Sequence, residues 1–115
     1  MNAAFWTYLD TLLSTSALVI DRPKGSAHPR YPELIYPLDY GYLSGVIGGD
    51  GEGLDVWRGS CPEPVLDAIV CTVDLKKKDV EVKLLVGCTA REKQIVCDFL
   101  NDGGYMAAML VERRE

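Results

Sequence analysis
Between Arg22 and Pro37 the chain carries four prolines, at positions 23, 29, 32 and 37. Proline fixes φ and has no N–H to give. A run this dense therefore forbids regular helix and confines any strand pairing to sheet edges. The same stretch holds Tyr31, Ile35 and Tyr36, which a loose linker would leave exposed to water without reason. It reads as an ordered, functional loop, with the regular structure lying on either side of it.

Before it, Ala3, Ala4, Trp6, Tyr8, Leu9, Leu12 and Leu13 follow helical spacing over about residues 2–14, with Asn2 as N-cap and Ser14 to Ser16 as the end. Residues 17–21 (ALVID) read as a short strand. After the loop, strands are expected over 40–47 and 54–58, separated by a tight glycine-rich turn over residues 48–53. Two more, over 65–74 and 79–86, are joined by Leu75 and the basic run Lys76-Lys77-Lys78 as a hairpin. Ile95, Val96, Phe99 and Leu100 mark a helix over 90–101, with Thr89 as N-cap and Gly103 as stop, and 105–112 reads as a last strand. Short strands with a helix near each end predict an α+β, mainly β, single domain spanning residues 1–115. The expected architecture is a small, five-stranded, OB-like β-barrel or a strongly curved sheet.

Composition excludes several classes. A net charge of −5 argues against broad binding to a nucleic-acid backbone, which needs a basic face. A small anionic substrate is still allowed, held through bridging cations and a few well-placed basic side chains. The longest apolar runs fall far below the roughly 18 residues of a membrane span, and Met1 to Ser16 carry no basic n-region of an export signal. The expectation is a cytoplasmic protein with no membrane partner. Cys61, Cys71, Cys88 and Cys97 show no C-x-x-C spacing and stand far from the single histidine, so reduced thiols are expected rather than a zinc site. Cys71 and Cys97 sit in apolar stretches and read as small core residues.

The main chemical signal is Asp50-Gly51-Glu52-Gly53-Leu54-Asp55. Hard cations such as Mg²⁺ take oxygen ligands, and glycines allow a turn sharp enough for three acids to face one point. Asp-Gly is equally a common surface-turn signal. Upstream, Lys24 and Arg30 can hold phosphate oxygens, or can be solvated loop charges. Tyr36-Pro37-Leu38-Asp39-Tyr40-Gly41-Tyr42 adds hydroxyl donors, and His28 reads as a loop residue.

Taken together, Asp21, Lys24, Arg30, YPLDYGY (36–42) and DGEGLDV (50–56) resemble the family I soluble inorganic pyrophosphatases in order and in much of their spacing. The likeness covers about residues 17–58 and is weak beyond. It implies magnesium-dependent hydrolysis of a phosphoanhydride, inorganic pyrophosphate first of all, with Mn²⁺ as the other metal. By position it implies Asp50 and Asp55 as metal ligands and Glu52 at the acid that bridges metals or activates the attacking water. Asp21 takes the acidic strand end, and Lys24, Arg30 and Tyr40 fall at phosphate contacts. Glu81 and Lys83, spaced i, i+2 on one strand face, fit a later acid–lysine pair. They would act as metal ligand and phosphate contact. Either Asp74 or Asp79 would supply a further acid. Glu52 and Asp55 are thus the catalytic candidates. A homo-oligomer is expected as well.

The chain departs from that pattern in three ways. Glu52 stands for aspartate, Gly53 stands for proline, and LNDGGY follows Phe99 where a Tyr-Lys pair is expected. These departures keep rival readings open: a hydrolase of another diphosphate, a binding module for phosphate or metal, or a scaffold whose N-terminal helix, with Phe5 and Trp6, covers a neighbouring subunit or its own sheet.

Overall fold
A computed structural model describes residues 3–49 and 51–114. Asn2 and Asp50, expected as an N-cap and a metal ligand, lie outside the described residues. Among the described residues, two helices and six strands follow in the order α1 (Ala3–Thr15), β1 (Leu18–Arg22), β2 (Asp39–Ile47), β3 (Gly53–Arg58), β4 (Leu66–Asp74), β5 (Asp79–Val86), α2 (Ala90–Asn101) and β6 (Met106–Glu112). They build one mixed sheet, ordered β1-β2-β3-β5-β4-β6. β3 and β5 pair in parallel and the other neighbours are antiparallel. The fold is α+β and mainly β, as expected. The sheet is not closed, so the five-stranded barrel is not confirmed. The sixth strand pairs with β4 and becomes an edge, and β1 is the other edge. Register shifts in β1–β2, β2–β3 and β4–β5 supply the local bends that short, coiled strands require.

Each face of the sheet buries one helix. The end of β5, Leu84-Leu85-Val86, is continuously apolar because both of its faces are covered: Leu84 and Val86 point to the α1 side, and Leu85 points to the α2 side. Trp6 of α1 packs on Leu43, Val56, Leu66, Ile69, Leu84 and Val86. Arg113 fixes this helix, with its guanidinium forked onto the Asp10 carboxylate at 3.0 and 2.9 Å and lying 5.8 Å from the Trp6 ring. The far end of the same sheet face is bare. Val73, Val80, Val82 and Met109, neighbours across β4, β5 and β6, are all exposed.

On the other face, α2 packs Val96, Cys97 and Leu100 against Trp57, Ala68, Val70 and Leu85. Its start is a capping box, Thr89 accepting from the Glu92 N–H and Glu92 accepting from the Thr89 N–H. The Glu92 carboxylate also accepts from the Ser60 N–H. Burial alone would raise its pKa, but the backbone donors at Thr89 and Ser60 outweigh that and hold it below the usual carboxylate range. All four cysteines are free thiols. Cys97 is buried in the core as expected, and burial pushes the Cys88 thiol up to about 12, which leaves it inert. No helix among the described residues is long and apolar enough to cross a membrane.

Candidate active site
The site grows from the β1–β2 edge. A Cβ on Gly41 would stand 1.8 Å from the Val19 carbonyl oxygen, so the glycine of the YGY stretch is what lets β1 approach β2. Ile20 pairs with Gly41 and Arg22 with Tyr40, which leaves Asp21 as the extra residue of a bulge. Bulges re-aim side chains, and here both Asp21 and Arg22 line one cleft. β2 and β3 add Tyr40, Gly53 and Asp55 to it, the turn between them adds Glu52, and β5 adds Asp79, Glu81 and Lys83 from a single strand face.

Lys83 is the hub. It is only 6% exposed, and its ammonium donates to Tyr40 Oη at 2.8 Å, Asp55 Oδ2 at 2.8 Å and Glu81 Oε2 at 3.1 Å. An ammonium has three protons, so all of its donors are accounted for. Burial alone would lower the Lys83 pKa, but the adjoining Tyr40 and Asp55 oxygens outweigh it and the net shift is upward. Burial likewise drives the Tyr40 hydroxyl upward, keeping it a neutral hydrogen-bonding group.

Charge divides the region in two. The lining of the carboxylate cleft holds five acids, Asp21, Glu52, Asp55, Asp79 and Glu81, against three cations, Arg22, Lys77 and Lys83. An adjoining slot shares Arg22, Tyr40, Lys77, Glu81 and Lys83 with it. The slot is richer in cations than in acids and has a mainly apolar wall. The cleft suits cations, the slot offers apolar surface with a small excess of cations, and the shared residues form the boundary.

Six of the residues expected from sequence therefore come together: Asp21, Tyr40, Glu52, Asp55, Glu81 and Lys83. Arg30 lines the slot instead. Lys24 lines neither. It sits in a turn beside Gly25, whose φ is +87°, its own N–H donates to Asp39 at 2.8 Å, and it is exposed. The two late acids separate clearly. Asp74 is buried and accepts from the Lys76 and Lys77 N–H groups at 2.9 and 3.0 Å, so it builds the hairpin turn. Asp79 lines the carboxylate cleft, and its Oδ1 is buried with no hydrogen-bond partner. Arg22, which lines both regions, carries no signal in sequence beyond its place after Asp21.

The donor set fits a hard cation, since every acidic side chain of the cleft offers carboxylate oxygen and one such oxygen on Asp79 lacks a donor. Among the described residues, no three His, Cys, Asp or Glu side chains stand close enough together to enclose an ion. Magnesium does not need such a cage, because it keeps several waters and is often held by one or two carboxylates plus phosphate. Comparison of the chain with protein-family models and with curated proteins finds no match.

Proposed function
We propose that this protein hydrolyses a phosphoanhydride with magnesium, or manganese, as cofactor, inorganic pyrophosphate being the smallest substrate and two phosphates the products. The observation that carries the reading is the convergence of Asp55, Glu81 and Tyr40 on buried Lys83, inside a cleft that also gathers Asp21, Glu52 and Asp79. It accords with the resemblance to family I pyrophosphatases seen in the sequence.

In this reading Asp55, Glu81 and Asp79 are the first carboxylates to meet the metal, with Asp21, Glu52 and Asp50 completing the set. A bound divalent cation would supply Lewis acidity and a lowered pKa for coordinated water. The chain's own groups do the rest. Glu52 orients and deprotonates the attacking water. Lys83 and Arg22 neutralise phosphate oxygens at the boundary of cleft and slot, Arg30 does so further into the slot, and the Tyr40 hydroxyl donates to phosphate. The expected result is phosphate release from pyrophosphate in the presence of Mg²⁺ and none after chelation. A parent protein inactive with both metals would remove the proposal.

A second reading has one specific support. Lys83 already occupies the carboxylates that a metal would need, and no closely grouped acid triad exists among the described residues. A module that binds metal and phosphate without turnover follows from that. Calorimetry would distinguish the two, since binding of both ligands without product favours the module.

Self-association and a cytoplasmic location belong to the same proposal. The bare face of Val73, Val80, Val82 and Met109 would take a second copy. Sedimentation of the parent is expected to give a dimer or larger, and Val82→Lys a smaller species. A monomeric parent would remove this part.

A further inference from the structure
The slot is far larger than two phosphates require. Its volume is about 680 Å³, in the range of organic-ligand pockets. Part of its lining comes from the proline-rich loop, with His28 and Tyr31, and part from Phe99 and Tyr105 at the α2–β6 junction. Between them runs a chain of rings. Tyr36 lies 5.4 Å from Tyr40 at 27°, Tyr40 lies 4.5 Å from Trp57, and Phe99 lies 5.8 Å from Trp57. Tyr36 and Trp57, 5% and 1% exposed, belong to the core behind the slot. The rings with surface left for a ligand are those of His28, Tyr31, Phe99 and Tyr105. Bare pyrophosphate has no use for such an apolar, ring-lined wall, whereas a planar heterocycle, which can stack on it, does.

We infer that the slot binds the base of a nucleotide, whose phosphates then cross the boundary residues Arg22, Lys77 and Lys83 into the carboxylate cleft. This rests on the hydrolase reading above and makes a nucleoside di- or triphosphate the preferred substrate, with pyrophosphate cleaved less efficiently. In the reaction, a water oxygen bonds to phosphorus as the bridging P–O bond breaks. The electron pair leaves on the departing phosphate, the water's proton passes to a carboxylate, and the base stays on the nucleoside product.

The test uses the full chain with magnesium and has two arms. The first measures binding of adenosine and uridine 5′-monophosphates, which have no anhydride to cleave, against inorganic phosphate, by tryptophan fluorescence and calorimetry. At least tenfold tighter binding of the monophosphates is expected. Phe99→Leu, which keeps apolar bulk but loses the ring, should reduce that preference about tenfold, and so should Tyr31→Ala at the 38% exposed rim. Equal binding of monophosphates and phosphate, or a preference that neither substitution moves, overturns the inference. The second arm compares kcat/KM for nucleoside diphosphates and pyrophosphate, and the ratio should fall in Phe99→Leu. Base-dependent binding without any turnover supports the slot and removes the hydrolase reading. Pyrophosphate turnover without base preference does the reverse.

Discussion

Asp55→Asn is expected to lower phosphate release from pyrophosphate by about 100-fold or more, the range seen when a positioned acid–base or charge-stabilising group is lost. The substitution is nearly isosteric, and an amide oxygen can still accept from the Lys83 ammonium that now donates to Asp55 Oδ2 at 2.8 Å. Protein stability should therefore change far less than activity. What disappears is one negative charge in the cleft, at the acid nearest Lys83. A companion reading is the thermal shift produced by Mg²⁺, which should be present in the parent and smaller in the variant, because a ligand that binds only the folded state stabilises it by mass action. Turnover within a few-fold of the parent would mean that Asp55 merely pairs with Lys83, and the carboxylate cleft would lose its assigned chemistry.

The sequence makes some of this arrangement readable and hides the rest for physical reasons. Helix α2 runs from Ala90 to Asn101 with Thr89 capping it, as its spacing and capping pattern predict, because those signals are local and act within one turn of the helix. The i, i+2 placement of Glu81 and Lys83 on one face also follows from strand geometry alone. The parallel pairing of β3 with β5 is not local. No residue in either strand announces it, yet it lays Asp55 beside Lys83, 28 positions away in the chain. The expected barrel rests on strand count and shortness, and neither says which edge the last strand joins. β6 pairs with β4, so the sheet stays open.

The same contrast holds within the site. Asp74 and Asp79 are equivalent in sequence, and each begins or ends a strand of the same hairpin. Only the turn separates them, since one carboxylate is engaged by the Lys76 and Lys77 amides and the other has an oxygen left over. Lys24 lines neither region: it stays exposed in the turn at Gly25, where its N–H is held by Asp39, 15 positions away in the chain. The ring-lined slot is likewise illegible, because Tyr36, Trp57 and Phe99 come from three distant segments and each reads singly as core.

Lys83→Met should destabilise the folded protein by roughly 3–5 kcal/mol, the usual cost of removing one partner from a buried ion pair. Methionine fills the stem's volume but leaves Asp55 and Glu81, whose side chains are 27% and 11% exposed, facing each other without the cation between them. The pH course of this loss has a definite sign. The folded pKa of Lys83 is raised, with its Tyr40 and Asp55 neighbours overcoming burial. Its stabilising contribution is therefore complete below the unfolded value of about 10.4 and fades only as pH rises through the higher folded value. Urea denaturation of parent and variant should thus differ by a constant amount between pH 6 and 9. Divalent cations make the measurement diagnostic. If Asp55 and Glu81 are metal ligands, Mg²⁺ takes over the role of the missing ammonium and stabilises the variant more than the parent. If they serve Lys83 alone, Mg²⁺ leaves the gap unchanged. A variant as stable as the parent would show that the ammonium is not the keystone of the cleft. A destabilised variant that ignores Mg²⁺ would confine these carboxylates to holding the sheet together.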